Sequence, residues 1–478
     1  MLISLLLITN LCLAQTGLPA NKDSIVWQAS KKYADPSFFK RILLGQNYRE
    51  EWETPVRLPV FRLSERKLKI TELGGGNQTK SLQFEDQQGR EWVLRTIDKD
   101  VEKALPESLR GTLAQRVVQD MVSAAHPYAP PTIPPMAKAL GIAVPEPVIY
   151  YVPDDPAFGE YRSLFANTLC LFERREPTPD DSETKSTDGM FEDVLKKNDH
   201  LVLQQSLLKA RLLDMLIADW DRHADQWRWG TVKKNDITYY YGIPRDRDQA
   251  YFSSNGFLIW LARTVSAKHF VGFRDDLTKL KNLNFKSWKF DRLFLNALDA
   301  HVWDSTIRFV QAQLTDDLIH QAMLQMPPEI YPISGEEMER KLRGRRNELL
   351  EKGMKYYRYL NKVVTVNGTD QEEVFVISGN NDKLKVQVYA LKDGKQSHKM
   401  YERDFTRKET WQIQFQGFDG NDQFIVEENA DSKIKLLFKG GKGKDSYNIK
   451  GKIKNTIEDD KMDDNQLVSL SLTRNRIE

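Results

Sequence analysis

Residues 214–252, DMLIADWDRHADQWRWGTVKKNDITYYYGIPRDRDQAYF, set more charged groups among aromatic and apolar ones than any other part of this chain. Leu212, Leu213, Leu216 and Ile217 recur at helical spacing, which predicts the end of a buried helix that delivers Asp219 and Asp221 to a helix-to-loop junction. Trp227 to Val232 and Ile237 to Ile243 are β-prone runs around Lys233-Lys234-Asn235-Asp236, the pattern of a hairpin. The second strand ends at Pro244-Arg245-Asp246-Arg247-Asp248. Hairpin strands are neighbours, so the far end of the second returns to the start of the first, and the two acidic groups meet. Carboxylates brought together repel and lose hydration unless cations share the site. Arg222, His223, Arg245 and Arg247 are available for that, and so is a divalent metal.

The order of these groups resembles a protein kinase, in which a catalytic-loop Asp, an amide or acid five residues later, a hairpin and a second Asp hold a base and magnesium. Asp221 takes the first place, Gln226 the second, and Asp248, or Asp246, the last. WDRHADQ followed by IPRDRDQAYF is similar to the atypical kinases of the HipA, spore-coat CotH and secretory-pathway casein-kinase-like groups, which share Asp-x-His-x-x-Asn/Glu. This chain has Gln226 at the end of that motif, a neutral ligand softer than Asp or Glu. LGGGNQTKSL, VLRTIDKD, HPYA, DWDRHADQWRW, IPRDRDQ and GGKGKD also resemble an uncharacterised module of secreted Bacteroidetes proteins that adjoins outer-membrane barrels. That second likeness spans nearly the whole chain and implies no activity.

Upstream, Leu68 to Thr96 reads as three strands, with Gly74-Gly75-Gly76 between the first two. A strand, a glycine turn, a strand and a third strand ending in a base is the order in which a kinase covers nucleotide phosphates with backbone amides and pairs them with a cation. Arg95 stands where kinases carry Lys, and Lys80 and Lys99 are further candidate cations. A helix is expected over 107–125, with Gln119 and Asp120 where a kinase has its ion-pairing Glu. His126, before Pro127, reads as a capping or packing residue. Val148 to Val152 and Leu164 to Phe172 are strand-like, and the turn-formers of 178–189 read as a mobile surface loop.

After Asp248, helical patterns run over Leu258 to Val265, Phe290 to Leu298, Thr306 to Leu314 and Leu318 to Met326. Residues 335–361 form a long charged helix, read as a solvated link, with acids early and bases late as the helix dipole prefers. From Val363 the period becomes two, with turns at Asn367-Gly368, Lys392-Asp393-Gly394 and Asp419-Gly420-Asn421. GFDGNDQF and GGKGKDSY look like single calcium-binding nonapeptide units. Lying 23 residues apart rather than in tandem, they read as hairpin turns, and calcium at Asp422 and Asp445 is not expected.

The fold class these patterns and resemblances imply is α+β, a bilobal protein-kinase-like domain followed by a small all-β C-terminal domain. Its parts are a signal peptide over 1–14, a lead-in over 15–60, an N-lobe over 61–172, a helical C-lobe with the catalytic-loop hairpin over 173–330, a linker helix over 335–361 and the β domain over 362–478. The apolar core LISLLLI and the Leu-Ala end before residue 15 carry the signal-peptide reading, and Asn10-Leu11 before Cys12 is a poor lipobox. After cleavage Cys170 is the only thiol, which excludes an intramolecular disulfide and a Cys-based zinc site. No other apolar run approaches the roughly 20 residues of a spanning helix. With 70 basic against 68 acidic side chains, net charge gives no sign of a nucleic-acid partner.

The activity this implies is a secreted phosphotransferase using ATP with magnesium or manganese on a protein, glycan or small-molecule acceptor. Asp221 and His223 are its catalytic candidates, Gly74, Gly75, Gly76, Lys80 and Arg95 bind the nucleotide, and Gln226, Asp246 and Asp248 hold the metal. The alternative is a non-catalytic, pseudokinase-like envelope protein that binds a partner beside an outer-membrane barrel. A third reading is metal-dependent phosphoester hydrolysis, for which Asp219, Asp221, His223, Asp225, Asp246 and Asp248 are suitable ligands. An ion-pair network that merely fixes two halves of the fold is the structural alternative.

Overall fold

The computed structural model describes residues 23–75, 79–102, 105–265, 267–380 and 383–458. The expected signal peptide, Cys12 and Gly76 lie outside the described residues. Helices and sheets are mixed along the chain, and among the described residues no helix is long and apolar enough to cross a membrane.

Leu68–Gly74, Ser81–Asp86 and Glu91–Thr96 form the expected three strands, continued antiparallel by Thr168–Arg174 and then Val148–Val152 into a five-stranded sheet. Gly75 turns the chain at φ 111°, where an added Cβ would sit 2.3 Å from the Thr79 carbonyl oxygen, so only glycine fits this position. One face of the sheet buries Phe61, Phe84, Trp92 and Phe172, the last two stacked at 5.0 Å. The fourth strand starts at Thr168 rather than Leu164, because Arg162–Phe165 is a helical turn and Asn167, at φ 59°, reverses the chain after it.

Of the expected lead-in over 15–60, the described residues 23–60 are built into the fold. Ser24–Trp27 pairs with Val56–Pro59, Trp52 and Arg49 are buried, and the Phe61 amide donates to the Tyr151 carbonyl at 2.8 Å. The helix expected over 107–125 is shorter, Leu113–Asp120, with 3-10 turns on either side. The 178–189 segment is pinned rather than free. Arg228 donates to the Thr184 hydroxyl and carbonyl at 2.8 and 2.6 Å and pairs with Glu176, while Lys185–Ser186 joins the hairpin as an edge strand.

Helix Gln204–Leu216 lies at the centre of the main core, buried from Ala210 to Leu216. It closes with Ala218 at φ 54°, the Asp219 amide reaching back to the Asp214 carbonyl at 3.0 Å and the Ala218 amide to that of Met215 at 3.4 Å. This is the Schellman ending, with alanine where glycine is usual. Its last carbonyls, on Met215 and Leu216, accept from the Arg345 guanidinium at 2.6 and 2.7 Å. Arg345 comes from helix Glu336–Leu360, which is not the solvated link its charge suggests. It buries Met338, Leu342, Leu349, Tyr356 and Leu360, and Gly353 lets it approach Ile307 of helix Ala300–Gln313.

Residues 363–458 carry only strands among the described residues and have a hydrophobic core of their own. Val363–Asn367, Gln412–Phe418, Asp431–Gly441 and Lys452–Glu458 lie parallel in one sheet; Glu373–Ser378, Gln423–Val426 and Ser446–Ile449 lie parallel in the other, extended by the hairpin Lys383–Lys392 with Lys395–Thr406. Each strand–turn–strand unit therefore stacks on the previous one as a coil. GFDGNDQF and GGKGKDSY are thus not hairpin turns: Gln412 pairs with Lys435 and Gln423 with Ser446, so the spacing of 23 is the coil period and one turn lies on the other. Stacked rings mark the repeat, Phe415 on Phe438 at 5.0 Å, Phe375 on Phe424 at 4.7 Å and Phe424 on Tyr447 at 5.1 Å. The acid of each turn accepts an amide from the coil before it, Asp445 from Asp422 and Asp422 from Glu373, both at 2.8 Å. Burial pushes the Asp422 carboxyl up to about 9.

Arg345→Met removes the guanidinium donors from the Met215 and Leu216 carbonyls at the end of the central helix. It is expected to lower unfolding stability by about 3 kcal/mol, read as a lower urea midpoint at unchanged slope. A change below about 0.5 kcal/mol would contradict this role for Arg345.

Candidate functional site

Strands Trp227–Lys234 and Ile237–Pro244 pair from Trp227↔Pro244 to Lys234↔Ile237. Asn235 and Asp236, at φ 51° and 64°, make the two-residue turn, whose left-handed backbone suits a twisted hairpin. The strand ends therefore coincide, and the Arg245 amide donates to the Gln226 carbonyl at 2.9 Å. Arg222 staples the junction. Its guanidinium donates to the carbonyls of Gln226 at 3.3 Å, Arg245 at 2.5 Å and Asp246, and pairs with Asp219 at 3.1 Å.

Behind it runs a buried chain of alternating charge. Asp291 and Asp214 each pair with Arg211 at 2.6 Å, and Arg247 joins Asp214 to Asp219, the latter at 3.3 Å. Asp219 is therefore committed to arginines rather than to a ligand.

In front lies a cleft between the five-stranded sheet and the helical part of the chain, lined by Arg95, Thr96, Lys99, Leu171, His126, Pro130, Asp246 and Asp248. Asp246 holds φ 52°, a left-handed backbone that an aspartate tolerates and that aims the two acids into the same space. Arg95 bridges Glu173 at 3.3 Å and Asp246 at 3.5 Å, and Lys99 pairs with Asp248. Burial and the neighbouring Asp246 push the Asp248 carboxyl up to about 6. Burial acts on Asp246 in the same sense, yet Arg95, Lys99 and Arg222 hold it down, to about 2. Asp221 stands at the helix-to-loop junction, its carboxylate 2.6 Å from the Lys286 ammonium, which also lies over the Trp220 ring at 4.7 Å.

Arg95, Asp246 and Asp248 thus meet in the cleft, and Asp221, outside its lining, is near enough to act on Asp248 electrostatically. Arg95 and Lys99 are the cations on Asp246 and Asp248, whereas the Lys80 side chain is exposed outside the cleft lining. Gly74 ends its strand against Ser81 and Gln83, and Gly75 makes the turn. Gln226 does not join the acid pair. Its amide lies 3.5 Å from the His223 ring, which sits 3.6 Å from Asp225 and is about a third exposed. His223 meets Asp221 only through the main chain, its amide donating to the Asp221 carbonyl at 2.8 Å.

Asp120 does not serve the site, because it is buried against Arg49 at 2.5 Å and Lys40 at 2.7 Å. The acid that pairs with Arg95 is instead Glu173, on the neighbouring strand. Glu173 lies at the end of the apolar strand Thr168–Arg174 and so was visible in the sequence, but Lys286 carries no local signal and lies 65 residues from Asp221. His126 is a packing residue as expected, its Nδ1 accepting from the Tyr128 amide at 3.2 Å and its ring held neutral by burial. Among the described residues, no three His, Cys, Asp or Glu side chains converge as a metal cage. The donor set suits magnesium in another way: one or two carboxylates complete its shell with water and substrate phosphates. The pair Asp246 and Asp248, both on the cleft, fits that arrangement.

No protein-family model matches the chain, and no curated protein matches it. Two kinase structures resemble it. One is the proinflammatory kinase CtkA of Helicobacter pylori, 11% identical, covering 62% of this chain and 96% of that one with a TM-score of 0.29. The other is the Rio2 kinase of Chaetomium thermophilum in its ADP/Mg2+-phosphoaspartate complex, 11% identical, covering 66% and 83% with a TM-score of 0.29. Superpositions this loose carry no argument, and the site is read from its own geometry.

The acid pair gives stability a defined pH dependence. Asp248, with its folded value above the usual 3.8, adds stability that is complete below about pH 4 and lost as pH rises through about 6; Asp246, with its value lowered, adds stability present above about pH 4 and lost toward pH 2. Asp248→Asn stays neutral, so between pH 4 and 7 it should gain on the unsubstituted chain by on the order of 1 kcal/mol, read from urea midpoints. A difference that stays constant over this range would contradict the raised Asp248 carboxyl.

Proposed function

We propose that the chain is a kinase-like phosphotransferase that takes a nucleotide with magnesium or manganese between its five-stranded sheet and its helical part, acting as two lobes. One observation carries this reading: two carboxylates, Asp246 and Asp248, face the cations Arg95 and Lys99 across a cleft, with a further carboxylate, Asp221, at the adjoining loop. A divalent cation bound by Asp246 and Asp248 would supply positive charge to the transferring phosphoryl oxygens. Arg95 and Lys99 would turn from the acids to the phosphate chain, and Gly75 would offer it a backbone amide. Asp221 would orient the acceptor hydroxyl and take its proton, with Lys286 fixing the carboxylate. The acceptor is a protein, glycan or small molecule, and the apolar start of the sequence favours export to the periplasm or the outer-membrane surface.

A second reading has its own observation. Asp246, Asp248 and Asp221 each already have a cation, in Arg95, Lys99 and Lys286, so the cleft is neutralised without a ligand. That arrangement suits a nucleotide-free, pseudokinase-like core that binds a partner in the envelope.

The test is the thermal unfolding midpoint with and without ATP and magnesium or manganese. Nucleotide at about 100 times its Kd stabilises by about 2.7 kcal/mol, a shift that should vanish in Asp248→Ala and persist in Asp221→Ala, which should lose phosphoryl transfer. Affinity should rise with pH through about 6, as Asp248 releases its proton to solvent and its carboxylate becomes free to hold the metal. No shift at millimolar nucleotide with either metal would sink the phosphotransferase reading and leave the partner-binding one.

A further inference from the structure

Two short helices on the surface expose apolar side chains that the core does not use. On Phe38–Leu44, Phe38, Phe39 and Ile42 are 72%, 74% and 50% exposed, and on Phe257–Val265, Phe257, Trp260 and Val265 are 51%, 56% and 74% exposed. The two helices abut, since the Gln46 amide donates to the Asn255 side chain at 3.0 Å and a Cβ on Gly256 would fall 2.6 Å from the Leu43 carbonyl oxygen. Phe257 and Trp260 stack at 5.6 Å, so the second helix presents a broad aromatic surface. Isolated exposed apolar residues are ordinary, but two neighbouring helices with large rings turned outward make a patch of the kind that contacts a lipid or protein surface.

Trp260 also edges an open pocket whose charged lining is cationic in excess, with Arg263, Lys268, Arg274, Lys279 and Arg345 against the single carboxylate Asp276. Asp276 accepts from the Thr278 amide and hydroxyl at 3.1 and 2.7 Å, and Arg345 spends its donors on main-chain carbonyls. The nearby acids Asp275 and Glu348 are engaged by Arg340 at 2.9 Å and the Leu277 amide at 3.0 Å. Arg263 donates to the Ser254 carbonyl at 2.9 Å, and its Nε is buried without a partner. Positive charge thus accumulates on one side of the apolar patch.

We propose that this face docks on a lipid surface with anionic phosphate headgroups. The exposed rings and Val265 enter the headgroup–acyl boundary while Arg263, Lys268, Arg274 and Lys279 take the phosphates. Charge complementarity decides the occupant: aromatic and aliphatic side chains beside a row of bases are what an amphipathic surface element offers to anionic lipid, and an apolar protein partner would leave the bases uncompensated. The inference does not depend on phosphotransferase activity, because neither helix contributes to the Asp246–Asp248 cleft.

The test is co-sedimentation of the full chain with vesicles of phosphatidylcholine alone or of phosphatidylglycerol and phosphatidylcholine in equal parts. Binding to the anionic vesicles is expected, reduced roughly tenfold or more in Arg263→Gln/Arg274→Gln and in Phe257→Ser/Trp260→Ser, with millimolar inorganic phosphate unable to replace it. All variants keep the same apolar start of the chain, so binding carried by that segment would survive both double substitutions and overturn the proposal. Three other outcomes also overturn it: no binding to either vesicle, saturable binding of inorganic phosphate through Arg263 and Arg274 without vesicle binding, or a dimer that Phe257→Ser/Trp260→Ser abolishes while vesicles are ignored.

Discussion

The Arg222 guanidinium holds together what like charge would drive apart. The loop that closes helix Gln204–Leu216, with Asp219 and Asp221, and the loop that follows strand Ile237–Pro244, with Asp246 and Asp248, bring carboxylates to one place, and desolvating them without cations would cost several kcal/mol per charge. Arg222 resolves this on both sides, binding the carbonyls of Arg245 and Asp246 while pairing with Asp219. Arg247 and Arg211 extend the compensation inward to Asp214 and Asp291, all of them buried. Arg345 fixes the same helix end from the far side of the core. The acids in the cleft are displayed on a frame that the buried charges lock.

A division of labour among chemically similar side chains follows. Asp219 and Asp214 are buried among arginines, whereas Asp246, Asp248 and Asp221 keep part of their surface exposed. Lys99 and Lys286 sit on the open acids as compact, rotatable ammonium groups, able to leave with less cost than a guanidinium locked to several carbonyls. The same ion pairs that suit a resting phosphotransferase also suit a core that never takes a nucleotide. The difference lies in whether a metal displaces Lys99.

Much of this was legible in the sequence because it depends on local geometry. The period-two runs and Asn235-Asp236 define a hairpin, and a hairpin forces its two ends together, so the approach of Asp221 to Asp246 and Asp248 needed no long-range information. Lys286 was not legible, since its pairing with Asp221 depends on how the helix Trp288–Phe294 docks. Asp120 misled because a buried acid finds the nearest arginine, Arg49, from a segment that looked like a lead-in. The coil period of 23 was visible as a number but was taken for separated turns; only the parallel pairing of Gln412–Phe418 with Asp431–Gly441 shows the spacing to be one circuit of the chain. Helix Glu336–Leu360 looked solvated because its charges outnumber its apolar residues, yet one narrow stripe and a buried arginine suffice to hold it in the core.

The central claim is that Asp246 and Asp248 receive a metal bound to a nucleotide. Crystals grown with manganese and a non-hydrolysable ATP analogue test it most directly through the anomalous signal of the metal. The account predicts a peak about 2.1 Å from oxygens of both carboxylates, with Lys99 turned toward phosphate. A nucleotide or manganese peak elsewhere, with the Lys99–Asp248 pair intact, would contradict it.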